Sequence, residues 1–444
     1  MNPQSLSNPL SASGGTRLAL LFLSLVTAEL AGAPSEYRFD FGPPRPAEGR
    51  IAVPADTVHT AARGYGFEPG AVLTEGKNSC ASDRPFFFSM DLPEGNYRVS
   101  LTLGDATGES HTTVKAESRR LMLESVDTKK GEVVTVTFTV NIRTPEIPGG
   151  GTVRLKPREI DALHWDKRLT LEFNGSRPCV NSLEVTKADD VITVFLAGDS
   201  TVTDQQIEPW AAWGQMLPVF FNATVAVANH AESGETIKSF VGERRLDRVM
   251  SLIRPGDYLF MQFGHNDQKI NAEHTDAATG YKDLLRRFIA ETRAKGANPV
   301  LVTSMERRNF DAAGKHIVPT LEGYPQAVRE VGAETGVPVI DLNAMSIPFY
   351  EALGPEAAKK AFVYFPANSY PGQDKALADD THFSGYGAYQ LAKCVVEGIK
   401  AKVPALAAHL RSGLKPYDPA HPDAFADWHL PASPPKPVVR PEGS

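Results

Sequence analysis

Four short segments of this 444-residue chain hold side chains able to carry out acyl transfer: Gly198-Asp199-Ser200-Thr201, Asn229–Gly234, Gly264-His265-Asn266-Asp267 and Asp379-Asp380-Thr381-His382-Phe383. Ser200 offers a hydroxyl nucleophile and His382 a base to take its proton. Asp379, three residues before His382, offers a carboxylate to orient the imidazole. The N–H groups of Ser200 and Gly234 and the side-chain amide of Asn266 are three donors for the oxyanion that forms when a carbonyl is attacked. Losing one such donor costs roughly 3–4 kcal/mol of barrier. Each element alone is weak. Gly-Asp-Ser is equally a helix-capping turn, Gly234 can answer a backbone need, Asn266 can cap a helix, and Asp-x-x-His can precede one. The same Asp, Asn and His groups could ligate two metals in a phosphoesterase. That chemistry calls for Asp-x-His after the first strand and a Gly-Asn-His order, whereas this chain reads Gly-His-Asn and has no His-Glu-x-x-His.

The segments gain weight from what precedes them. Val191–Leu196, Val225–Ala228, Tyr258–Phe263, Pro299–Val302 and Val337–Leu342 are continuous apolar runs, the mark of strands buried on both faces of a parallel sheet. Helical patterns are expected between them at about Pro209–Phe221, Thr236–Ile253, Tyr281–Lys295 and Leu321–Thr335, with a last helix at about Tyr386–Ala401. In Leu284, Leu285, Phe288, Ile289 and Thr292 the amphipathic spacing is plain. This predicts an α/β doubly wound sheet. Ligands of such sheets sit beyond the C-terminal ends of the strands, where these segments fall.

Ahead of it, from about Tyr37 to Lys187, the pattern changes to period-2 alternation in Asn96–Leu103, His111–Lys115, Glu132–Asn141, Thr152–Leu155, Leu169–Phe173 and Asn181–Val185, which predicts an all-β sandwich or jelly roll. Arg17, the apolar stretch Leu18–Val26 and the small residues Ala31 and Ala33 have the build of a cleaved export signal, and the stretch is too short to span a bilayer. The expected organisation is a signal peptide (1–33), a β-sandwich (34–188), an α/β domain (189–411) and a Pro-rich C-terminal tail (412–444), extended on the surface or disordered.

The order and identity of the four segments resemble the SGNH (GDSL) hydrolase superfamily. Trp213–Leu217, Gly264–Asp267, Thr303–Lys315, Thr320–Arg329 and Asp379–Ala388 are similar to its rhamnogalacturonan acetylesterase branch. Tyr37–Gly42 and Arg63–Glu68 look like the galactose-binding-type sandwich found ahead of some of these esterases. The resemblance implies a three-layer α/β/α domain, with Ser200 as nucleophile, His382 as base and Asp379, rather than Asp380, as its partner. Ser200, Gly234 and Asn266 would form the oxyanion hole. It implies a secreted or periplasmic carbohydrate esterase that deacetylates plant cell-wall polysaccharide, with rhamnogalacturonan first and acetylated xylan or an oligosaccharide as the alternative, and that needs no metal or organic cofactor. Two departures stand out: Glu235 follows Gly234 where a basic residue is more usual, and Met305-Glu306 precede the Arg pair, so both bear on substrate contacts.

Other residues carry more than one reading. Trp210, Trp213 and Tyr324 can stack on sugars or pack internally. Arg307 and Arg308 can meet a uronate carboxylate or form ion pairs. Cys80 and Cys179 can pair or stay free, while Cys394 reads as core. Lys+Arg 46 against Asp+Glu 53 leave a net charge of −7, which argues against nucleic acid as ligand. A non-catalytic carbohydrate-binding protein is the reading from another class.

Overall fold

Alternation builds the N-terminal half. In Gly95–Leu103 the side chains of Tyr97, Val99, Leu101 and Leu103 are buried, whereas Arg98, Ser100 and Thr102 lie half-exposed between them. The computed structural model describes residues 36–42 and 45–436; the export signal expected over residues 1–33 lies outside them. One five-stranded sheet runs in the order Val134–Ile142, Gly95–Leu103, Ser182–Lys187, Glu36–Phe41, Ile51–Val53. A second runs Tyr65–Phe67, Phe86–Asp91, Arg168–Arg177, Ser110–Ala116, Arg120–Thr128. Their inner faces share one core, in which Phe88 meets Phe39 and Phe41 edge-on at centroid distances of 5.2 and 5.1 Å. Burying each such ring contributes on the order of 1.5–3 kcal/mol. Cys80 and Cys179 are buried as free thiols in a small three-stranded sheet beside this core.

The C-terminal half is a five-stranded parallel sheet in the order Val225–Asn229, Ile192–Gly198, Tyr258–Gln262, Asn298–Val302, Val339–Ile340. Successive residues of one strand feed opposite cores. Val194 and Leu196 pack with Leu391, Val395 and Ile399 of the last helix, Gly385–Lys402. Phe195 and Ala197 pack on the other face with Phe240, Val249, Phe288 and Val328. With both faces covered, the strand is apolar nearly throughout, and its one polar side chain, Thr193, accepts from Asn96 Nδ2 at 2.8 Å. The chain starts in the second strand of this order and moves first to one side, then to the other, so the sheet has a topological switch point between the strands that precede Ser200 and Asn266.

Several elements differ from expectation. Thr152–Leu155 is not a strand: only Thr152 makes a bridge, to Glu146, and the Arg154 N–H reaches across to the Glu243 carbonyl in the α/β half. Pro209–Phe221 holds one helical turn, Trp213–Met216, followed by a tighter 3-10 turn at Leu217–Phe220; Pro218 lacks the N–H needed to continue an α-helix. Thr236–Ile253 splits into Ile237–Gly242 and Arg245–Leu252 where Arg244 turns left-handed (φ 64°). A helix at Leu342–Ala358 carries Pro348 and Pro355 and kinks at Gly354, which hid its periodicity. Residues 412–436 hold one 3-10 turn, Phe425–Asp427, and are anchored: Trp428 packs on Tyr389, and the Ser433 N–H and hydroxyl bond to Glu208 and Glu172 at 2.9 and 2.7 Å. Among the described residues no helix is long and apolar enough to cross a membrane.

The last helix meets the rest of the domain closely at Gly387, where a Cβ would lie 1.9 Å from the Ala361 carbonyl oxygen. Backbone cannot yield as a side chain can. Gly387→Ala is therefore expected to destabilise the protein by about 1–3 kcal/mol, read as a fall in Tm of a few degrees by calorimetry.

Candidate active site

Ser200 stands just beyond the C-terminal end of the strand Ile192–Gly198, on a turn closed by Asp199. The Asp199 carbonyl accepts from the N–H groups of Val202 and Thr203 at 3.0 and 3.1 Å. Its Oδ1 accepts from the Thr201 N–H at 2.9 Å and the Thr201 hydroxyl at 2.7 Å. From below, Trp213 Nε1 donates to Gln262 Oε1 at 2.7 Å, and Gln262 Nε2 donates to the Thr201 hydroxyl at 2.7 Å. Trp213 is thus a buried brace for the nucleophile turn. It is 0% exposed, with Trp210 at 1% and Tyr324 at 3%, so the sugar-stacking reading of all three is corrected: none has a free face.

His382 arrives from a two-stranded hairpin, Phe362–Phe365 with Leu377–Phe383. Phe362 pairs with Phe383 and the next residue, Val363, with Asp379, so Asp380, Thr381 and His382 bulge out of the ladder. Such a bulge re-aims side chains. Here it sets His382 Nε2 at 2.8 Å from the Ser200 hydroxyl and His382 Nδ1 at 2.8 Å from Asp379 Oδ2. The carboxylate accepts, so the proton sits on Nδ1 and Nε2 is free to receive the serine proton. The other oxygen, Asp379 Oδ1, accepts from the N–H groups of Thr381 and His382 at 2.9 and 3.0 Å. Burial pushes the Asp379 carboxyl up, but the bonds to His382 and these amides outweigh it and hold it below its ordinary value. The neighbouring Asp380 turns away, toward Arg308 Nη1 at 2.7 Å and the Tyr364 hydroxyl at 2.6 Å.

The expected oxyanion donors are the N–H groups of Ser200 and Gly234 and the side-chain amide of Asn266. Among the described residues no internal acceptor takes the N–H of Ser200 or Gly234. Gly234 has φ +80°, a conformation that L side chains rarely adopt. Asn266 Nδ2 donates to the Glu235 carbonyl at 3.0 Å, which leaves its second N–H for a ligand. Asp267 anchors the same loop by accepting the Ile237 N–H at 2.8 Å, and burial pushes its carboxyl up to about 8.

His265 lies beneath the serine turn with Nδ1 3.5 Å from Asp199 Oδ2. Burial lowers the imidazole below its ordinary value despite that carboxylate. Arg307 donates to the Thr381 and Thr320 hydroxyls at 3.1 and 3.3 Å and to the His265 carbonyl at 3.3 Å. Arg308 stacks over Tyr364 at 5.0 Å as well as pairing with Asp380. Both arginines are engaged by the protein and tie the hairpin to the sheet. Glu235, expected near the substrate, is instead buried, with Oε1 2.6 Å from Lys156 Nζ, and Glu306 is buried against Thr320 and Asn343. Among the described residues, Glu159, His164 and Glu232 bring one ligand atom each within 4.8 Å of one another. Glu159 is already held by both terminal nitrogens of Arg245, and Glu232 by Arg158, so these carboxylates belong to an ion-pair network rather than to an ion.

The arrangement can add a serine hydroxyl to a carbonyl, hold the resulting oxyanion and shuttle the proton. Comparisons with known proteins bear on the family of the chain. The model of the GDSL-like lipase/acylhydrolase family matches residues 196–388, and that of the β-agarase/YXIM esterase-like, galactose-binding domain-like family matches residues 37–142. Rhamnogalacturonan acetylesterase RhgT of Bacillus subtilis (strain 168) is 46% identical over 223 residues, 50% of this chain and 95% of that protein. Uncharacterized esterase YxiM of the same organism is 27% identical over 392 residues, 83% of this chain and 92% of that protein. A crystal structure of YXIM from Bacillus subtilis covers 82% of this chain and 98% of its own at 26% identity, with a TM-score of 0.44. The chain belongs to the GDSL-like lipase/acylhydrolase (SGNH) family. It is a carboxylic-ester hydrolase preceded by a galactose-binding-like sandwich.

Proposed function

We propose that this protein is an exported acetylesterase that removes O-acetyl groups from plant cell-wall polysaccharide, with acetylated rhamnogalacturonan as its substrate. The observation that carries the substrate is the 46% identity across 95% of a rhamnogalacturonan acetylesterase. The Arg17–Ala33 segment supports export. In the reaction, Ser200 Oγ bonds to the acetyl carbon as His382 Nε2 takes its proton, and the carbonyl electron pair moves to oxygen under the N–H groups of Ser200, Gly234 and Asn266. Collapse breaks the bond to the sugar oxygen, which leaves with the proton from His382. Water, deprotonated by His382, then releases acetate from the acetyl-serine and restores the hydroxyl.

The test is acetate release from acetylated rhamnogalacturonan and from acetylated xylan, with and without EDTA. Release from the first and indifference to EDTA are expected. Release from xylan alone would keep the chemistry and overturn the substrate, and release that EDTA abolishes would overturn the chemistry.

A further inference from the structure

The oxyanion donor at Gly234 belongs to a peptide unit whose other end is the Ser233 carbonyl. Two cations from the sandwich half converge on that oxygen: Lys156 Nζ at 2.8 Å and Arg158 Nη2 at 2.6 Å. Both lie on the segment that leaves the sandwich after Ile142, within or beside the short 3-10 turn Pro157–Glu159. The turn is itself locked by Glu159, whose two oxygens take Arg245, and one of them also the Trp165 indole N–H at 3.0 Å. Each cation is matched by a buried carboxylate on either side of the Ser233–Gly234 bond. Arg158 Nε meets Glu232 Oε1 at 2.9 Å, and Lys156 Nζ meets Glu235 Oε1 at 2.6 Å. Glu232 and Glu235 are 3% and 0% exposed. The four residues Glu232–Glu235 are therefore clipped at both ends and in the middle by the sandwich half.

A hydrogen bond accepted at a peptide oxygen draws electron density from its nitrogen, so the N–H of the same unit becomes a stronger donor, as in any polarised hydrogen-bond chain. Two charged donors on one carbonyl make the effect large and fix the plane of the unit, hence the direction of the N–H. An oxyanion hole depends on donors whose orientation is set before charge develops. We propose that Lys156 and Arg158 are positioning residues for ester hydrolysis, orienting and polarising the Ser233–Gly234 peptide so that the Gly234 N–H stabilises the oxyanion. This rests on the serine-esterase reading above. It makes the sandwich half a working part of the active site, and it accounts for an acidic residue after Gly234: Glu235 is the counter-ion of Lys156.

Single removal of either cation would strand a buried carboxylate, so the test uses the charge-matched pairs Lys156→Gln with Glu235→Gln, and Arg158→Gln with Glu232→Gln. The probe is p-nitrophenyl acetate, whose small acyl and leaving groups touch little beyond the reacting centre. For each pair kcat is expected to fall roughly 10–30-fold, less than the 10²–10³ lost when a donor is removed outright, with KM within about twofold. Affinity for a methylboronic acid, which forms a tetrahedral anion on the serine, is expected to fall in parallel. Arg158→Lys, which keeps a cation, is expected to retain most of the activity, as a merely structural role would not require. Unchanged kcat in the folded pairs, or a change in KM alone, overturns the proposal. If a pair fails to fold, the charge-matched pair Arg158→Met with Glu232→Met decides: a lower kcat at constant KM supports the proposal, and wild-type kcat overturns it. Ser200→Ala, run alongside, separates the two ideas. Activity surviving in Ser200→Ala sinks the esterase reading itself, whereas a dead Ser200→Ala beside fully active pairs sinks only the role of the two cations.

Discussion

Ser200→Ala is expected to lower kcat for ester hydrolysis by about 10⁶-fold while leaving KM close to its native value, the scale seen when a serine nucleophile is removed from such a set. The residue makes one bond that the rest of the site cannot replace. Its Oγ is the only hydroxyl within 2.8 Å of His382 Nε2 among the described residues. With it gone, the oxyanion donors and the oriented imidazole remain, so a residual acceleration of roughly 10³–10⁴ over water is expected from water attacking in its place. Acetate release by protein purified free of native enzyme, followed over hours, measures both numbers. The fold should be indifferent, since the turn is held by Asp199, Thr201 and Gln262 and not by the serine hydroxyl. Retention of more than a few per cent of native activity would show that another nucleophile carries the reaction.

Asp379→Asn is expected to cost about 10⁴-fold in kcat, and its neighbour's replacement, Asp380→Asn, less than about tenfold. The first figure has a local reason. Two backbone N–H groups, of Thr381 and His382, claim one oxygen of Asp379 at 2.9 and 3.0 Å. In an asparagine those donors would hold the amide oxygen, which leaves the NH₂ facing His382 Nδ1. An imidazole met by a donor there must carry its proton on Nε2 and can no longer accept one from Ser200. Asp380 only receives Arg308 and Tyr364 at the rim of the hairpin. Comparable losses for the two variants would overturn the assignment. The pH dependence follows from the sign of the shift. Because the folded carboxyl of Asp379 lies below its ordinary value of 3.8, its contribution to stability is complete above that value and is lost as pH falls through the lower, folded one. Asp379 therefore stays ionised throughout the neutral range, and protonation of this carboxylate does not set the acid limb of the rate profile.

The site was legible to different depths. Ser200, Gly234 and Asn266 could be placed because each follows a strand buried on both faces, and a continuous apolar run is unambiguous. Asp379 and His382 were legible as residues but not as geometry. They lie on a bulged hairpin whose strand, Leu377–Phe383, carries four consecutive polar residues and so shows no alternation. Trp213 stayed undecided because an indole at a domain's first helix looks the same in a row of letters whether it faces sugar or Gln262. The helix Leu342–Ala358 was missed because its two prolines and kink break the 3.6-residue period.

Lys156 and Arg158 left no signal at all. They meet Ser233 from 77 and 75 residues away, and the stretch before them resembled a strand. By itself, then, the sequence determined the two fold classes, the strand ends and the chemical types gathered there, because burial imposes a period on neighbouring residues and chemistry needs particular groups. Only the tertiary structure decided which way Asp380, Trp213 and the arginines face, and that the sandwich half grips the Glu232–Glu235 loop. Those are matters of direction between residues distant in the chain, and local periodicity holds no record of direction.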